Sequence, residues 1–140
     1  MSNAYSSNLA LNLSLASEGA GSMGTEGILE GHFRSVQRAL REVPLTQTAA
    51  VVKAITRARD AGATVYVFGN GGSAATSLHF ANDLAMIRKE GVHAIRVVSL
   101  SANVSVMTAI ANDLGYEHVF SEQLRPLVRP GDLVIGISGS

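Results

Sequence analysis

Three short runs of apolar, β-favouring residues constrain the fold of this chain more than any other feature. They are TVYVFG (64–69), HAIRVVSL (93–100) and DLVIGIS (132–138), and polar residues alternate little within them. Strands of this kind are buried on both faces, as in a parallel sheet covered by helices. Helical patterns at about 73–89, 103–112 and 116–128 separate the runs. The sequence therefore predicts an α/β fold, a three-layer αβα doubly wound parallel sheet with right-handed crossovers.

Two helices are predicted ahead of the first strand. The first has Thr25 as its N-cap, ends before Pro44 and carries one apolar seam. The second covers 47–60, with Thr46 as its N-cap. Two partners for the seam remain open, the chain's own core and a helix bundle between subunits. The members of the seam are Leu29, Phe33, Val36, Leu40 and Val43.

Composition excludes several classes of function. Eleven basic residues balance eleven acidic ones in 140 residues, which gives no electrostatic basis for binding nucleic acid or an anionic membrane. No apolar run approaches the length of a membrane span. The absence of cysteine excludes disulfides and thiolate metal sites, and it fits a reducing cytoplasm. Residues 1–22 contain no Lys or Arg and predict a disordered tail rather than a signal peptide.

The stretch VFGNGGSAATSLHFANDL (67–84) is the strongest indication of a ligand site. Its GNGGS segment (69–73) follows a predicted strand and opens a helix, where open α/β sheets bind their ligands. Glycines allow a ligand to approach the backbone, and the N–H groups at a helix start favour an anion. The segment matches neither the dinucleotide nor the P-loop motif. It predicts a small phosphorylated or polar ligand and no nucleotide cofactor, with a plain tight turn as the alternative.

Serine residues also follow the other two predicted strands. SLSAN (99–103) contributes Ser99 and Ser101, and SGS (138–140) contributes Ser138 and Ser140. Because the carboxyl ends of parallel strands meet at one edge of a sheet, these hydroxyls are predicted to surround a phosphate with neutral donors. The alternative is ordinary loop chemistry at each strand end.

Two further pairs carry ionisable groups. His79 and Asp83 are four residues apart on a predicted helix, a spacing that suits a shared metal or a base held beside an acid. A surface contact is the alternative. Asn112 and Asp113 precede Gly115, and they form either part of a site or a helix end with local hydrogen bonds.

Taken together, the motifs resemble the sugar isomerase (SIS) domain of phosphoheptose isomerases, a flavodoxin-like or Rossmann-like fold. The resemblance rests on GNGGSAATSLHFANDLA, ANDLGYEHVFSEQL and GDLVIGISGS, and it runs from about Thr25 to Ser140. It implies a SIS domain over 23–140, with N-terminal helices at 25–61 and a partial α/β core at 62–140.

The resemblance implies a homotetrameric cytoplasmic enzyme that converts sedoheptulose 7-phosphate to D-glycero-D-manno-heptose 7-phosphate through an enediolate. His79 and Asp83 would be catalytic, and in members that carry zinc they would bind the metal. Ser138, Gly139 and Ser140 would hold the phosphate of the sugar. The residues implied to line the substrate are Asn70, Gly71, Gly72, Ser73, Asn112 and Asp113.

The chain departs from the family in its helix and at its end. Asp83 stands where the family usually has a glutamate, and Asn82 replaces a common carboxylate. The family continues beyond SGS into segments that supply a Gln and a His, so the C-terminal part of the domain is expected to be missing. A second hypothesis is therefore a non-catalytic SIS module that binds a sugar phosphate or a protein partner, as regulators and replication-initiation factors do. A third is an α/β fragment without activity.

Overall fold

The computed structural model describes residues 24–87 and 90–139. The predictions for the 1–22 tail and for Ser140 lie outside these residues. The chain divides into two units, one ending at Pro44 and the other beginning at Leu45, and each is described by itself. Within the described residues, no helix has the length and apolar character that crossing a membrane requires.

The first unit contributes helix α1, Thr25–Glu42, which confirms the helix predicted to carry the apolar seam. Its N-cap is Gly24 rather than Thr25, because the Gly24 carbonyl accepts the N–H groups of Gly27 and Ile28 at 2.8 and 3.3 Å. The helix ends before Pro44, since a proline disfavours the helical conformation of the residue that precedes it.

The second unit opens with helix α2, Leu45–Asp60. The predicted N-cap at Thr46 is wrong, because the helix has already begun at Leu45 and Thr46 lies in its first turn. Gly62 ends the turn after the helix with a φ of 65°, a conformation that glycine adopts without strain.

The sheet has three parallel strands: β1 (Thr64–Gly69), β2 (Arg96–Ser99) and β3 (Leu133–Ile137). Their order is β2-β1-β3, which confirms the predicted parallel sheet. β2 is shorter than the predicted 93–100 run. Only β1 is buried on both faces, while β2 and β3 alternate between exposed and half-buried residues. The difference arises because β1 is the central strand of the three.

Chain segments pack on both faces of the sheet. Helix α3, Gly72–Ala85, connects β1 to β2, and it ends earlier than the predicted residue 89. On the face that contains Val65, Ala58 of α2 and Ile95 form a buried cluster with it. On the opposite face, the aromatic rings of Phe68 and Phe120 stack with centroids 4.5 Å apart. This arrangement is the expected three-layer αβα architecture.

The helix predicted at 116–128 is wrong. Helix α4, Val104–Asp113, is followed by a 3-10 turn at Tyr116–His118 and by the one-turn helix α5, Ser121–Leu124. Between the two helical turns, Val119 is buried and Phe120 stacks on Phe68.

Asp132 joins the amino-terminal ends of β1 and β3. Its carboxylate accepts the backbone N–H of Thr64 at 2.8 Å and that of Arg129 at 2.8 Å. The two N–H groups, that of Thr64 first, lower the pKa of Asp132 below its ordinary value of 3.8. The folded protein therefore holds the ionised form more firmly than the unfolded chain does.

We expect Asp132→Asn to destabilise the fold at pH 7 and to matter less in acid. The pKa of Asp132 is lower in the folded protein than in the unfolded chain. The carboxylate therefore contributes fully to the free energy of unfolding above about pH 5, and this contribution is lost as the pH falls through the folded pKa. Urea midpoints of both proteins at pH 7 and pH 3 measure this difference. Asp60→Asn, at an exposed ion pair with Arg59, is the control. An Asp132→Asn effect of equal size at both pH values would contradict the expectation.

Candidate functional site

The glycine segment forms a tight connection from β1 into α3. β1 ends at Gly69, and α3 begins at Gly72 with Gly71 as its N-cap. Gly71 has a φ of 54°, in the left-handed region that favours glycine. The Asn70 carbonyl accepts the N–H of Ser73 at 2.9 Å, so the chain turns directly into the helix.

Gly69 is required by a close approach of several chain segments. A Cβ atom added at this position would lie 2.7 Å from both the Cβ and the carbonyl oxygen of Ser73, and 2.8 Å from the carbonyl oxygen of Ile137. Real Cβ atoms essentially never come so close to other heavy atoms. The end of β1 therefore accepts only glycine unless the backbone moves.

The loop leaves backbone donors available to a ligand. In the part of the chain that the structure describes, no hydrogen bond uses the N–H of Gly71 or Gly72. Both groups lie at the start of a 14-residue helix, where the helix dipole favours negative charge. The half-buried Ser73 follows them with a hydroxyl. Such a loop can bind an anion without any charged side chain.

The register of the sheet places the end of β3 beside this loop. Ile137 pairs with Gly69, so Ser138 and Gly139 follow at the same edge as Asn70 and Gly71. The predicted juxtaposition of the two Ser-bearing segments therefore agrees with the register. Ser140, the third predicted phosphate residue, lies outside the described residues.

The prediction that Ser99 and Ser101 offer their hydroxyls to a phosphate is wrong. Ser101 is buried, and its hydroxyl accepts the N–H of Gly69 at 3.2 Å and donates to the Gly69 carbonyl at 2.9 Å. The Ser99 hydroxyl lies 3.0 Å from that of Ser77. These groups hold the loop in place from inside the fold.

Ser77 connects α3 to β2. Its side chain is fully buried, and its hydroxyl donates to the Ala74 carbonyl at 2.8 Å. Since a hydroxyl has one proton, Ser99 must be the donor in the contact between the two serines. Ser77 could not be predicted from the sequence, because a serine inside an apolar helix carries no signal for its partner.

His79 and Asp83 lie on the outer side of α3. Their positions are rotated away from the buried Ser77 on the helix surface, and their side chains are 79% and 60% exposed. Nε2 of His79 is 3.4 Å from Oδ2 of Asp83. The pair is brought together as predicted, but His79 begins about 10 Å along the helix from Gly72 at the usual rise per residue.

The described residues offer two candidate zinc ligands at this pair and no complete zinc site. Zinc in proteins takes at least three protein ligands. No group of three or more His, Cys, Asp or Glu side chains in residues 24–87 and 90–139 could hold a metal ion. A zinc ion bound to His79 and Asp83 would require further ligands, and it stays a prediction.

Asn112 and Asp113 form the end of α4, and both are exposed. Nδ2 of Asn112 donates to Oδ1 of Asp113 at 2.8 Å, which is the local hydrogen bond expected of a helix end. No described contact joins either side chain to the glycine loop. Their role in lining a substrate stays a prediction.

Tyr116 is the residue that connects this region to the loop. Its hydroxyl donates to Oδ1 of Asn70 at 2.8 Å, across 46 positions of sequence. Tyr116 could not be predicted as a site residue, because a tyrosine after a helix-ending glycine has no pattern that indicates so distant a partner.

Residues 31–140 match the SIS domain family. The phosphoheptose isomerase of Helicobacter hepaticus is 36% identical over 115 residues, which are 82% of this chain and 58% of that protein. The phosphoheptose isomerase of Geotalea daltonii is 42% identical over 92 residues, 66% of this chain and 48% of that protein. The chain therefore spans about half the length of these curated relatives.

Two solved structures resemble the fold. The phosphoheptose isomerase from Neisseria gonorrhoeae matches with a TM-score of 0.74 at 32% identity, over 84% of this chain and 62% of that chain. A phosphoheptose isomerase from Francisella tularensis matches with a TM-score of 0.75, over 84% of this chain and 63% of that chain. Its identity of 24% makes this second likeness one of fold alone.

We expect Gly69→Ala to destabilise the fold by about 1–3 kcal/mol, because the added methyl group meets backbone atoms that cannot move aside independently. Gly72→Ala is the matched control, since a Cβ there meets nothing within 4 Å and alanine favours the helix by up to about 1 kcal/mol. Urea unfolding of both variants measures the difference. Equal unfolding midpoints would show that the end of β1 is not tightly enclosed.

Proposed function

The chain belongs to the SIS domain family, and from this premise we propose that the protein is an aldose–ketose isomerase of the phosphoheptose isomerase type. Its substrates would be sedoheptulose 7-phosphate and D-glycero-D-manno-heptose 7-phosphate. The observation that carries the proposal is the glycine loop, whose Gly71 and Gly72 N–H groups lie at the start of α3 beside the end of β3. Relatives of this chain carry the same activity in their names.

The loop would bind the phosphate end of the substrate. Backbone N–H groups, the helix dipole and nearby hydroxyls supply positive potential without a competing salt bridge. Ser73, Ser138 and Gly139 would surround the same oxygens. An elongated sugar anchored here can extend along the outer side of α3 toward His79 and Asp83.

The reaction requires a proton to move between two neighbouring carbons. A base takes a proton from C1 of the ketose. The electron pair of the broken C–H bond forms the C1–C2 double bond, and the C2 carbonyl oxygen becomes the oxyanion of an enediolate. Return of a proton to C2, with transfer of the proton on the C1 oxygen to the C2 oxygen, gives the aldose. We assign the base to the carboxylate of Asp83, which His79 contacts at 3.4 Å. Hydrogen-bond donors near the developing oxyanion would lower the barrier further.

Three further features belong to the proposal. Zinc would be held in part by His79 and Asp83 and, when bound, would polarise the substrate's oxygens. A homotetramer is supported by the apolar seam of α1, which a helix bundle between subunits could bury. A cytoplasmic location is supported by the absence of cysteine.

We expect Asp83→Asn to lower the rate of proton exchange by at least about a hundredfold, since the amide cannot accept the proton. Incubation with sedoheptulose 7-phosphate in D₂O, followed by NMR of the sugar, measures both deuterium entry beside the carbonyl and formation of the aldose. Asp83→Glu keeps a carboxylate and should retain exchange. Asp60→Asn, on the exposed surface of α2, should exchange as the unchanged protein does.

The same measurement distinguishes the alternatives. Exchange by Asp83→Asn at the rate of the unchanged protein would contradict the assignment of the base. Broadening of the sugar signals without exchange in any variant would favour a binding module without catalysis. The named relatives are isomerases, and none of them favours that second hypothesis.

A further inference from the structure

Tyr116 and Asn70 connect two segments that the sequence keeps far apart. Asn70 lies in the glycine loop after β1, and Tyr116 begins the 3-10 turn after α4. The phenol of Tyr116 donates its proton to Oδ1 of Asn70 over 2.8 Å. This hydrogen bond joins the turn after α4 to the glycine loop.

The chain positions Tyr116 through Gly115. Gly115 has a φ of 107°, and a Cβ there would lie 2.8 Å from a carboxylate oxygen of Glu117. Its N–H bonds the Ile110 carbonyl at 3.2 Å, and its carbonyl accepts the N–H of His118 at 3.2 Å. The direction in which Tyr116 leaves the helix is therefore set by backbone hydrogen bonds on both sides of the glycine.

The contact fixes which end of the Asn70 amide faces Tyr116. A primary amide has an acceptor oxygen on one side and two N–H donors on the other. The phenol donates to the oxygen, so the N–H groups point away from Tyr116, and the backbone carbonyl of Asn70 already accepts N–H groups from Ser73 and Ala74. Across residues 24–87 and 90–139, no acceptor uses the two N–H groups on Nδ2. Asn70 directly precedes Gly71 and Gly72, the residues whose backbone N–H groups lie at the start of α3.

We propose that Tyr116 is a positioning residue that turns the Nδ2 amide of Asn70 toward an oxygen of the bound sugar phosphate. The inference rests on the proposed function and names one determinant of that site. Without the phenol, the amide can rotate and present its oxygen, which would repel a phosphate. Both side chains are exposed, so the bond adds little to stability and acts on orientation.

The central variant is Tyr116→Phe, which removes one oxygen atom. We expect the KM for sedoheptulose 7-phosphate to rise on the order of tenfold, with a smaller change in kcat and an unchanged urea midpoint. Tyr66→Phe is the matched control. The Tyr66 hydroxyl donates to the Leu127 carbonyl at 3.1 Å inside the fold, so its loss should lower the urea midpoint and leave KM unchanged.

Asn70→Asp tests the direction of the amide. The carboxylate can still accept the proton of Tyr116, but it offers no N–H and repels a phosphate. We expect it to weaken binding more than Tyr116→Phe does, and addition of Tyr116→Phe to Asn70→Asp should weaken binding no further. Additive effects of the two substitutions would overturn the proposal, as would a Tyr116→Phe protein with the KM of the unchanged protein.

Two ligands together show whether Asn70 contacts the phosphate or the sugar part of the substrate. NMR titration with inorganic phosphate and with sedoheptulose 7-phosphate gives a dissociation constant for each. A rise in both constants for Tyr116→Phe places the Asn70 amide on the phosphate, and a rise for the sugar phosphate alone places it on a sugar oxygen. Either result supports positioning by Tyr116, and a rise in neither overturns it.

NMR spectra of the ligand-free protein test the contact between Tyr116 and Asn70 independently of the proposed function. The side-chain amide signals of Asn70 are identified by their loss in Asn70→Asp. If the unchanged protein binds neither ligand, the proposed function fails, and the inference is judged on these signals. A shift of the Asn70 amide signals in Tyr116→Phe supports the positioning contact. Signals identical to those of the unchanged protein overturn it.

Discussion

The close packing around Gly69 is the constraint on which the rest of this structure depends. Backbone atoms of Ser73 and Ile137 leave no room for a side chain there, and the Ser101 hydroxyl bonds both polar groups of Gly69. These contacts come from α3, from the end of β3 and from the turn after β2. They fix the position of one strand end relative to three other segments, and hence the position of the loop that follows it.

The packing around Gly69 fixes the positions of the hydrogen-bond donors in the loop. Its donors are backbone N–H groups and hydroxyls, so the site can attract a phosphate with no lysine or arginine in it. Neutral donors of this kind act through fixed geometry, and a small backbone displacement would misdirect several of them together. The buried serines therefore contribute to the geometry of the loop, because they hold its ends in place from inside the fold.

Sequence reasoning identified the features that depend on local chemistry. The bounds of β1 and the glycine loop followed from apolar runs and from glycines next to them. The placement of Ser99 and Ser101 was wrong, since the direction of a side chain after a strand depends on the register between strands. The contact between Tyr116 and Asn70 could not be predicted, because it arises from the path of the chain around the sheet.

Helix α3, which follows the loop, also has one feature that the local sequence predicts and one that depends on the tertiary fold. The spacing of His79 and Asp83 correctly predicted that they would meet on one helix face. Which face that is depends on the burial of Ser77 against β2, and no pattern in the sequence indicates that burial. The pair lies on the outer side of α3.

The central claim is that the loop between β1 and α3 holds the phosphate of a sugar phosphate. Backbone amide NMR of the chain, recorded during titration with sedoheptulose 7-phosphate, tests it most directly. The account predicts the largest shifts at the amides of Gly71, Gly72 and Ser73, with smaller shifts at Ser138 and Gly139. Shifts confined to the opposite edge of the sheet, near Gly131 and Asp132, or no shifts at all, would contradict it.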